Sequence, residues 1–429
     1  MAWAERLGAS LRLGSRDLPR AAMLGLCAFV VLVGLWNARA YPPGLGYDAA
    51  EHMAYADGLV PGLHIPRSTG EFYTPPLFYL VAGSADWLAG RAGIGDPHRA
   101  TALVDIVLLL GTMLLVRQLA GILWPERRWS GVIAAAFLAL LPVSVKAMAM
   151  FHPELLDLFL STLGVYLGVR LLNGRASVPL AAAAGAALGL AQLVRAFALW
   201  SLLAVALGVA LSRRWRELAV LVAVAALIPA PWYARQWVVY GTPLPFNRSA
   251  PDKPLYDRRP LGFYVGSGLP DVVTHPTRGH FVNQAIPVTY SELWGDYFGH
   301  WAWNGSAPGT LTRSVRRSLS IQALLGALPT LLAVAGTAAF AWRSLRHRSW
   351  LPAGLLAPLG LLGFLSFTVA YPSADGDVIK ATYMLTTAPG WALGFAYLLG
   401  NAPRRAQIAL GAALALCVVV ELPFLFYGS

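Results

Sequence analysis

Long apolar runs separated by short polar gaps dominate the chain from one end to the other. Runs of about 16 to 23 residues recur along nearly the whole length, the span a helix needs to cross about 30 Å of hydrocarbon. They predict membrane helices over 21–39, 100–117, 130–148, 154–171, 178–194, 197–212, 217–234, 320–342, 351–370, 382–400 and 406–426, eleven in all. A further apolar segment, PLFYLVAGSADWLAG (76–90), is only about 15 residues long and carries Asp86, as suits an interfacial or re-entrant helix. No small-residue cleavage site follows the first run, so it is expected to remain as the first span. The fold class expected is an all-α polytopic membrane protein.

The polar gaps are of two kinds, and the two kinds alternate. Arg6/Arg12/Arg16/Arg20, Arg127/Arg128, Arg170/Arg175, Arg213/Arg214/Arg216, Arg343/Arg346/Arg348 and Arg404/Arg405 occupy every second gap, and the positive-inside rule places them in the cytoplasm. The N-terminus is then cytoplasmic and, with an odd number of spans, the C-terminus is outside. Counting 76–90 as a span would turn most of these clusters outward. The outer face receives 40–99, 149–153, the tight turn at Arg195, the long loop 235–319 and 371–381. The domains expected are a seven-helix module over 1–234, an aromatic-rich outer loop over 235–319 and about four C-terminal helices over 320–429.

Composition agrees: 57% of the residues are hydrophobic and 13% charged, against about 25% charged in soluble domains. The net charge of +12 resides in arginines that serve as orientation signals between apolar segments, so it does not point to nucleic acid. Cys27 and Cys417, both within apolar segments, suggest neither a disulfide framework nor a metal cluster.

The chemistry-bearing residues collect on the outer side. In the first outer loop, YPPGLGYDAAEHMAYADGL puts Asp48, Glu51 and His52 on about one helical turn, as an N-cap and capping box with Asp48 free to serve also as a general base. HIPRSTGEFYTPPLFYL follows with His64, Arg67 and Glu71 before a Pro-Pro step. At the top of the fourth helix, FHPELLD offers His152, Glu154 and Asp157. The last two share one face, as a cap and an interhelical hydrogen bond or as residues lining a wet cavity. Arg195 is an arginine in an outer turn, against the charge rule. YPSADGDVIKATYMLTTAP places Asp375, Asp377, Lys380 and Tyr383 at a helix mouth, where a cation suits a phosphate or a lipid headgroup. SELWGDYFGHWAWN gathers Trp294 and four further aromatics around Glu292, Asp296 and His300, as a sugar platform or a membrane-interface belt.

Taken in order, these pieces resemble the GT-C superfamily of integral-membrane glycosyltransferases, near the protein O-mannosyltransferase and aminoarabinose-transferase branch. The likeness rests on PPGLGYDAAEHMAYADGL, TPPLFYL, the basic inner loop WPERRW, HPELLDLFLSTLGVYL and KATYMLTTAP, spread over residues 1 to about 400. It implies seven N-terminal helices with a large first outer loop and a more variable C-terminal part. It also implies a polyprenyl-phosphate-linked sugar donor and inverting transfer to an acceptor hydroxyl on the outer face of the cell membrane.

In that family the acidic residue of the first loop is the base, which falls here on Asp48, with Glu51 and Glu154 as the other catalytic candidates. Arg195 and Lys380, backed by Arg67, would hold the phosphate. His52, His152, Asp157, Tyr383 and Trp294 would bind or orient substrate. The loop reads Asp48-Ala49 where the family has an Asp-Glu pair, so a divalent cation such as Mg2+ or Mn2+ is left open, with Asp48 and Glu154 as its holders. The partners implied are the lipid donor, the bilayer and a glycan, lipid or protein acceptor. The rival classes are a transporter or flippase and a non-catalytic membrane assembly protein. No internal repeat supports a transporter.

Overall fold

A computed structural model describes residues 17–245, 260–266, 268–281, 284–303, 311–370 and 379–428. Arg6, Arg12, Arg16, Asp375 and Asp377 lie outside the described residues. All regular structure among those described is helical. The first half comprises α1 (Leu18–Ala40), α2 (Ala49–Leu59), α3 (Leu77–Arg91), α4 (Arg99–Leu123), α5 (Ser130–Leu140), α6 (Pro142–Ala149), α7 (Glu154–Asn173), α8 (Val178–Gln192), α9 (Ala198–Leu211), α10 (Trp215–Leu227) and α11 (Ala230–Tyr240). Three short helices follow, α12 (Leu261–Val265), α13 (Asp271–Thr274) and α14 (Ala285–Trp294). Then come α15 (Arg313–Ser344), α16 (Leu351–Gly354), α17 (Leu356–Ala370), a 3-10 helix (Ala381–Thr387), α18 (Ala388–Asn401) and α19 (Arg404–Glu421).

Every predicted apolar run is helical, but the count of eleven spans is not confirmed. Among the described residues six helices are long and apolar enough to cross a membrane, or eight if two bent pairs each count as one span. The shortfall arises where proline interrupts the run. Leu141 is extended ahead of Pro142, and α5 and α6 meet at 59°. α10 and α11, which flank Pro229, meet at 48°. Proline lacks the N–H that would continue the ladder and disfavours helical backbone in the residue before it. α8, α9 and α18, with 15, 14 and 14 residues, are short for a span of about 20.

Small residues let the helices approach closely where apolar attraction in lipid supplies little drive. A Cβ on Gly185 would lie 2.5 Å from the Leu221 carbonyl, so α8 packs backbone to backbone on α10. A Cβ on Gly336 would lie 2.1 Å from the Gly394 carbonyl, where α15 crosses α18. The buried helix α7 packs against α4, α8, α9 and the 3-10 helix.

The bundle has two chemically distinct ends. At one, Arg20, Arg117, Arg127 and Arg128 line a single cavity, Trp124 packs on Trp350 and Tyr397, Arg127 donates to Asn401, and Arg214 donates to the carbonyls of Leu171 and Gly174. At the other, Tyr41, Tyr47, Met150, Phe281, Tyr297, Phe298 and Ile379 form an aromatic-rich cluster. α3 has 15 residues and buries Asp86, which meets His98 Nδ1 at 3.0 Å and accepts from Thr101 Oγ1 at 3.0 Å. The charge that shortens this apolar run is thus satisfied within the protein.

This polarity sets an orientation test. In a chain with Cys27 and Cys417 replaced by alanine, Ser68→Cys should react with an impermeant maleimide on intact cells. Ala176→Cys, in the exposed gap after α7, should react only after permeabilisation. The opposite labelling would invert the arrangement.

Candidate functional site

The loop after α1 turns twice before α2 begins. Gly46 at φ +126° and Asp48 at φ +52° both occupy backbone regions that glycine and, less readily, aspartate or asparagine tolerate. Asp48 stands at the N-cap position of α2, but its side chain makes no capping bond there. The capping expectation is therefore corrected. The left-handed conformation delivers the carboxylate instead to Lys380, whose Nζ donates to Oδ2 at 2.8 Å. Lys380 is buried, with 9% of its side chain exposed, whereas Asp48 keeps 47% accessible. Burial works against the charge on Asp48, but Lys380, His52 and Arg195 outweigh it and hold the carboxyl below its usual range. Burial likewise opposes the Lys380 charge. Tyr383 and Asp48 nevertheless raise its pKa, so both partners are ionised at neutral pH.

A second pair lies beside the first. Arg195 Nε stands 3.1 Å from Glu154 Oε1, and its guanidinium is 5.7 Å from the centre of the Tyr383 ring and 3.4 Å from His152 Nε2. Neither Glu154 oxygen has an aligned hydrogen-bond donor, and His152 Nδ1 and His52 Nε2 are also buried without one. The two imidazoles meet edge to face at 5.0 Å. Burial drives the His52 pKa down to about 4 and that of His152 well below the usual histidine range. Both rings are therefore neutral at physiological pH. The result is a cluster of two held cations, two held anions and buried polar atoms that lack aligned partners.

Several expected residues serve as support. Asp157 accepts from Thr386 Oγ1 at 2.6 Å, tying α7 to the 3-10 helix that follows Lys380. Tyr383 stacks on Phe197 at 5.1 Å. Glu51 is exposed one turn along α2, its pKa raised by partial burial and by Glu71 and Asp48. Arg67 is not brought into the cluster: its side chain is exposed and its carbonyl accepts from Tyr240 Oη at 2.7 Å. Trp294 is corrected as a sugar platform. Its Nε1 donates to Thr330 at 2.7 Å, its ring lies over Gly326, and it walls two apolar cavities. The indole is thus packed on α15, between Gly326 and Thr330.

Three further residues belong to the site. Glu71 is buried and accepts from Thr74 Oγ1 at 2.6 Å and Tyr73 Oη at 2.9 Å. Burial opposes its charge, but His52, Arg195 and Thr74 together hold its pKa below the usual value. Lys146, on α6 beyond the Pro142 bend, donates to Glu292 Oε1 at 2.5 Å and to the carbonyls of Glu292 and Gly295 at 3.1 and 2.8 Å. Glu292 also accepts from Tyr47 Oη, so one buried pair fixes the residue next to Asp48. The sequence signal for Lys146 was a lone lysine inside an apolar run, which at membrane depth marks a built interaction.

Neither a scan against protein-family models nor a search of curated proteins finds a match to the chain. Solved structures do match. The oligosaccharyltransferase of Archaeoglobus fulgidus, tethered to an acceptor peptide, superposes with a TM-score of 0.53 at 15% identity, over 95% of this chain and 55% of that one. The mycobacterial arabinofuranosyltransferase AftD gives 0.52 at 17% identity, over 95% of this chain and 27% of that one. ArnT from Cupriavidus metallidurans, bound to undecaprenyl phosphate, gives a looser 0.42 at 16% identity, over 87% and 77%. The chain has the GT-C fold. It spans about half the length of the oligosaccharyltransferase it matches.

On this GT-C scaffold the divalent-cation option can be tested against the donor set. Asp48 and Glu154 are each already paired with a cation, Lys380 and Arg195. Among the described residues, the histidine, cysteine and carboxylate atoms at this site form no group of three close enough to share an ion. The described residues alone therefore do not assemble a metal site around Asp48.

Proposed function

We propose that this GT-C chain transfers a sugar from a polyprenyl-phosphate-linked donor to an acceptor hydroxyl at the outer face of the membrane, with inversion. One observation carries the reading: the buried Lys380 holds the accessible Asp48 carboxylate at 2.8 Å, and the residue that follows Lys380, Ala381, lines an apolar cavity. Ala381, Met384 and Leu385, immediately after Lys380, line a cavity of about 260 Å3 that also reaches Phe137, Leu141 and Trp294. Those last three residues border a second, larger apolar cavity of about 610 Å3. A phosphate at Lys380 could thus extend its prenyl chain along apolar walls while its sugar faces Asp48. Dolichol-phosphate is bound by the A. fulgidus relative in one of its structures, a neighbour of this fold, which supports the donor class.

In the step proposed, Asp48 takes the proton of the acceptor hydroxyl as that oxygen bonds to the sugar C1. The bond from C1 to the phosphate oxygen breaks, and polyprenyl phosphate leaves with the electron pair. Lys380 and Arg195 stabilise the charge that develops on it, as preorganised cations do in a water-poor site. A phosphate arriving between them would share Lys380 with Asp48, weakening the pull that keeps Asp48 a feeble base. His52, held by Tyr79 Oη at 2.8 Å, stays neutral and can position the acceptor without adding charge.

The first outer loop supplies Asp48, α7 supplies Glu154 and the C-terminal part supplies Lys380, so the site needs residues from across the chain. Lys380→Ala and Arg195→Ala should each lower kcat/KM for the donor by about tenfold to 150-fold, the equivalent of about 1.5–3 kcal/mol for a charge-assisted contact. The acceptor KM should change little. Steady-state transfer with each substrate varied in turn tests this, and unchanged donor kinetics in both variants would remove these cations from the site.

A further inference from the structure

The segment 271–280 holds a cluster of side chains of metal-ligating type, separate in sequence from the loops that build the Asp48 site. Asp271 opens the short helix α13, His275 follows one turn later, and His280 returns after a tight turn that includes Gly279 at φ +87°. One ligand atom from each of the three lies within 4.8 Å of the other two. His280 Nε2 stands 3.6 Å from Asp271 Oδ2, and the two imidazoles stack at 4.6 Å.

The backbone beneath is anchored, so the cluster is not a chance meeting of loose ends. Val272 and Phe281 are buried on either side of it. The Arg278 N–H donates to the Tyr297 carbonyl at 2.9 Å, and Thr277 N–H donates to the His275 carbonyl at 2.8 Å. Thr274 Oγ1, 3.0 Å from His275 Nδ1, steadies that ring, the kind of outer partner that orients a ligating histidine. The Arg278 guanidinium is engaged elsewhere, 5.6 Å over the Phe298 ring.

We propose that Asp271, His275 and His280 form a Zn2+ site that clips the outer loop closed. Two neutral imidazoles and one carboxylate are the ligand types zinc prefers, and three protein ligands leave a fourth position for water. Zinc bonds of about 2.0–2.1 Å require ligand atoms about 3.4 Å apart, so the side chains must draw in by roughly 1 Å. All three are exposed and can do so by rotation. The clip would close the turn around Arg278 and hold Phe281 and Tyr297, which stack beneath it at 6.2 Å.

The test uses the full chain in detergent, purified without a histidine tag, stripped with chelator and titrated with Zn2+ by calorimetry. About one Zn2+ per chain is expected, with affinity falling at least about tenfold in each of His275→Ala and His280→Ala. Zn2+ should also slow tryptic cleavage after Arg278 in the parent and leave the rate unchanged in the double variant. These readouts need no transferase activity, so they stand or fall independently of the proposed reaction. Absence of zinc binding in the parent, or equal affinity in the double variant, would overturn the site.

Discussion

Asp48→Asn should reduce sugar transfer by about a hundred-fold to ten-thousand-fold while the protein still folds, because an amide cannot accept the acceptor proton at neutral pH. The substitution suits the position. Asparagine tolerates φ near +52° about as well as aspartate, and no capping bond is lost because none is made. The asparagine carbonyl can still accept from Lys380, so that buried cation keeps a partner. The acidic limb of the parental pH profile should fall at a pH below the usual carboxylate range, since Lys380 holds Asp48 ionised. The same pair contributes stability above the unfolded carboxylate value of about 3.9, and that contribution is lost as pH drops through the depressed folded value. Transfer rate beside thermal midpoint separates the roles. A well-folded variant with at least half the parental rate would leave Asp48 as a partner for Lys380 only, with Glu51 and Glu154 next to test.

Lys146→Met should be the most damaging single change to folding. Glu292 is fully buried, and Lys146 is its ionic partner at 2.5 Å, so removing the lysine strands a charge at a cost of about 3–5 kcal/mol. The double change Lys146→Met/Glu292→Leu should recover most of that loss, since replacing both members of a buried pair with apolar groups is often neutral. Tyr47 would then lose its carboxylate partner, so the rescued protein should fold and yet transfer slowly. Thermal midpoints of the single and double variants in detergent test this. A single variant as stable as the parent would show that the pair does not hold the outer loop to α6.

What the sequence made legible follows from the range of each interaction. A membrane helix satisfies its own backbone, so the apolar runs from 21–39 to 406–426 could be read locally, and all are helical here. The breaks at Pro142 and Pro229 were written in the same runs, but their angles depend on packing. Local reasoning misjudged Asp48, whose Asp-x-x-Glu spacing suggested a capping box. A lysine 332 positions away competes for the carboxylate, and backbone φ delivers it there. Glu292 looked like one of several carboxylates among aromatics until Lys146 reached it across 146 positions. The composition did carry a clue: the chain holds three lysines, Lys146, Lys253 and Lys380, among its 33 basic residues. Two of them form ion pairs, Lys146 with the buried Glu292 and Lys380 with the accessible Asp48.

The central claim is that this GT-C site binds a sugar carried on a polyprenyl phosphate, and mass spectrometry of the lipids that copurify with the protein tests it most directly. The parent should retain a polyprenyl-phosphate species, with a sugar mass attached in the Asp48→Asn variant, where donor binds but transfer stops. Lys380→Ala/Arg195→Ala should lose most of that lipid. Purified parent and Asp48→Asn protein that carry no polyprenyl phosphate, or a double variant that retains as much as the parent, would contradict the account.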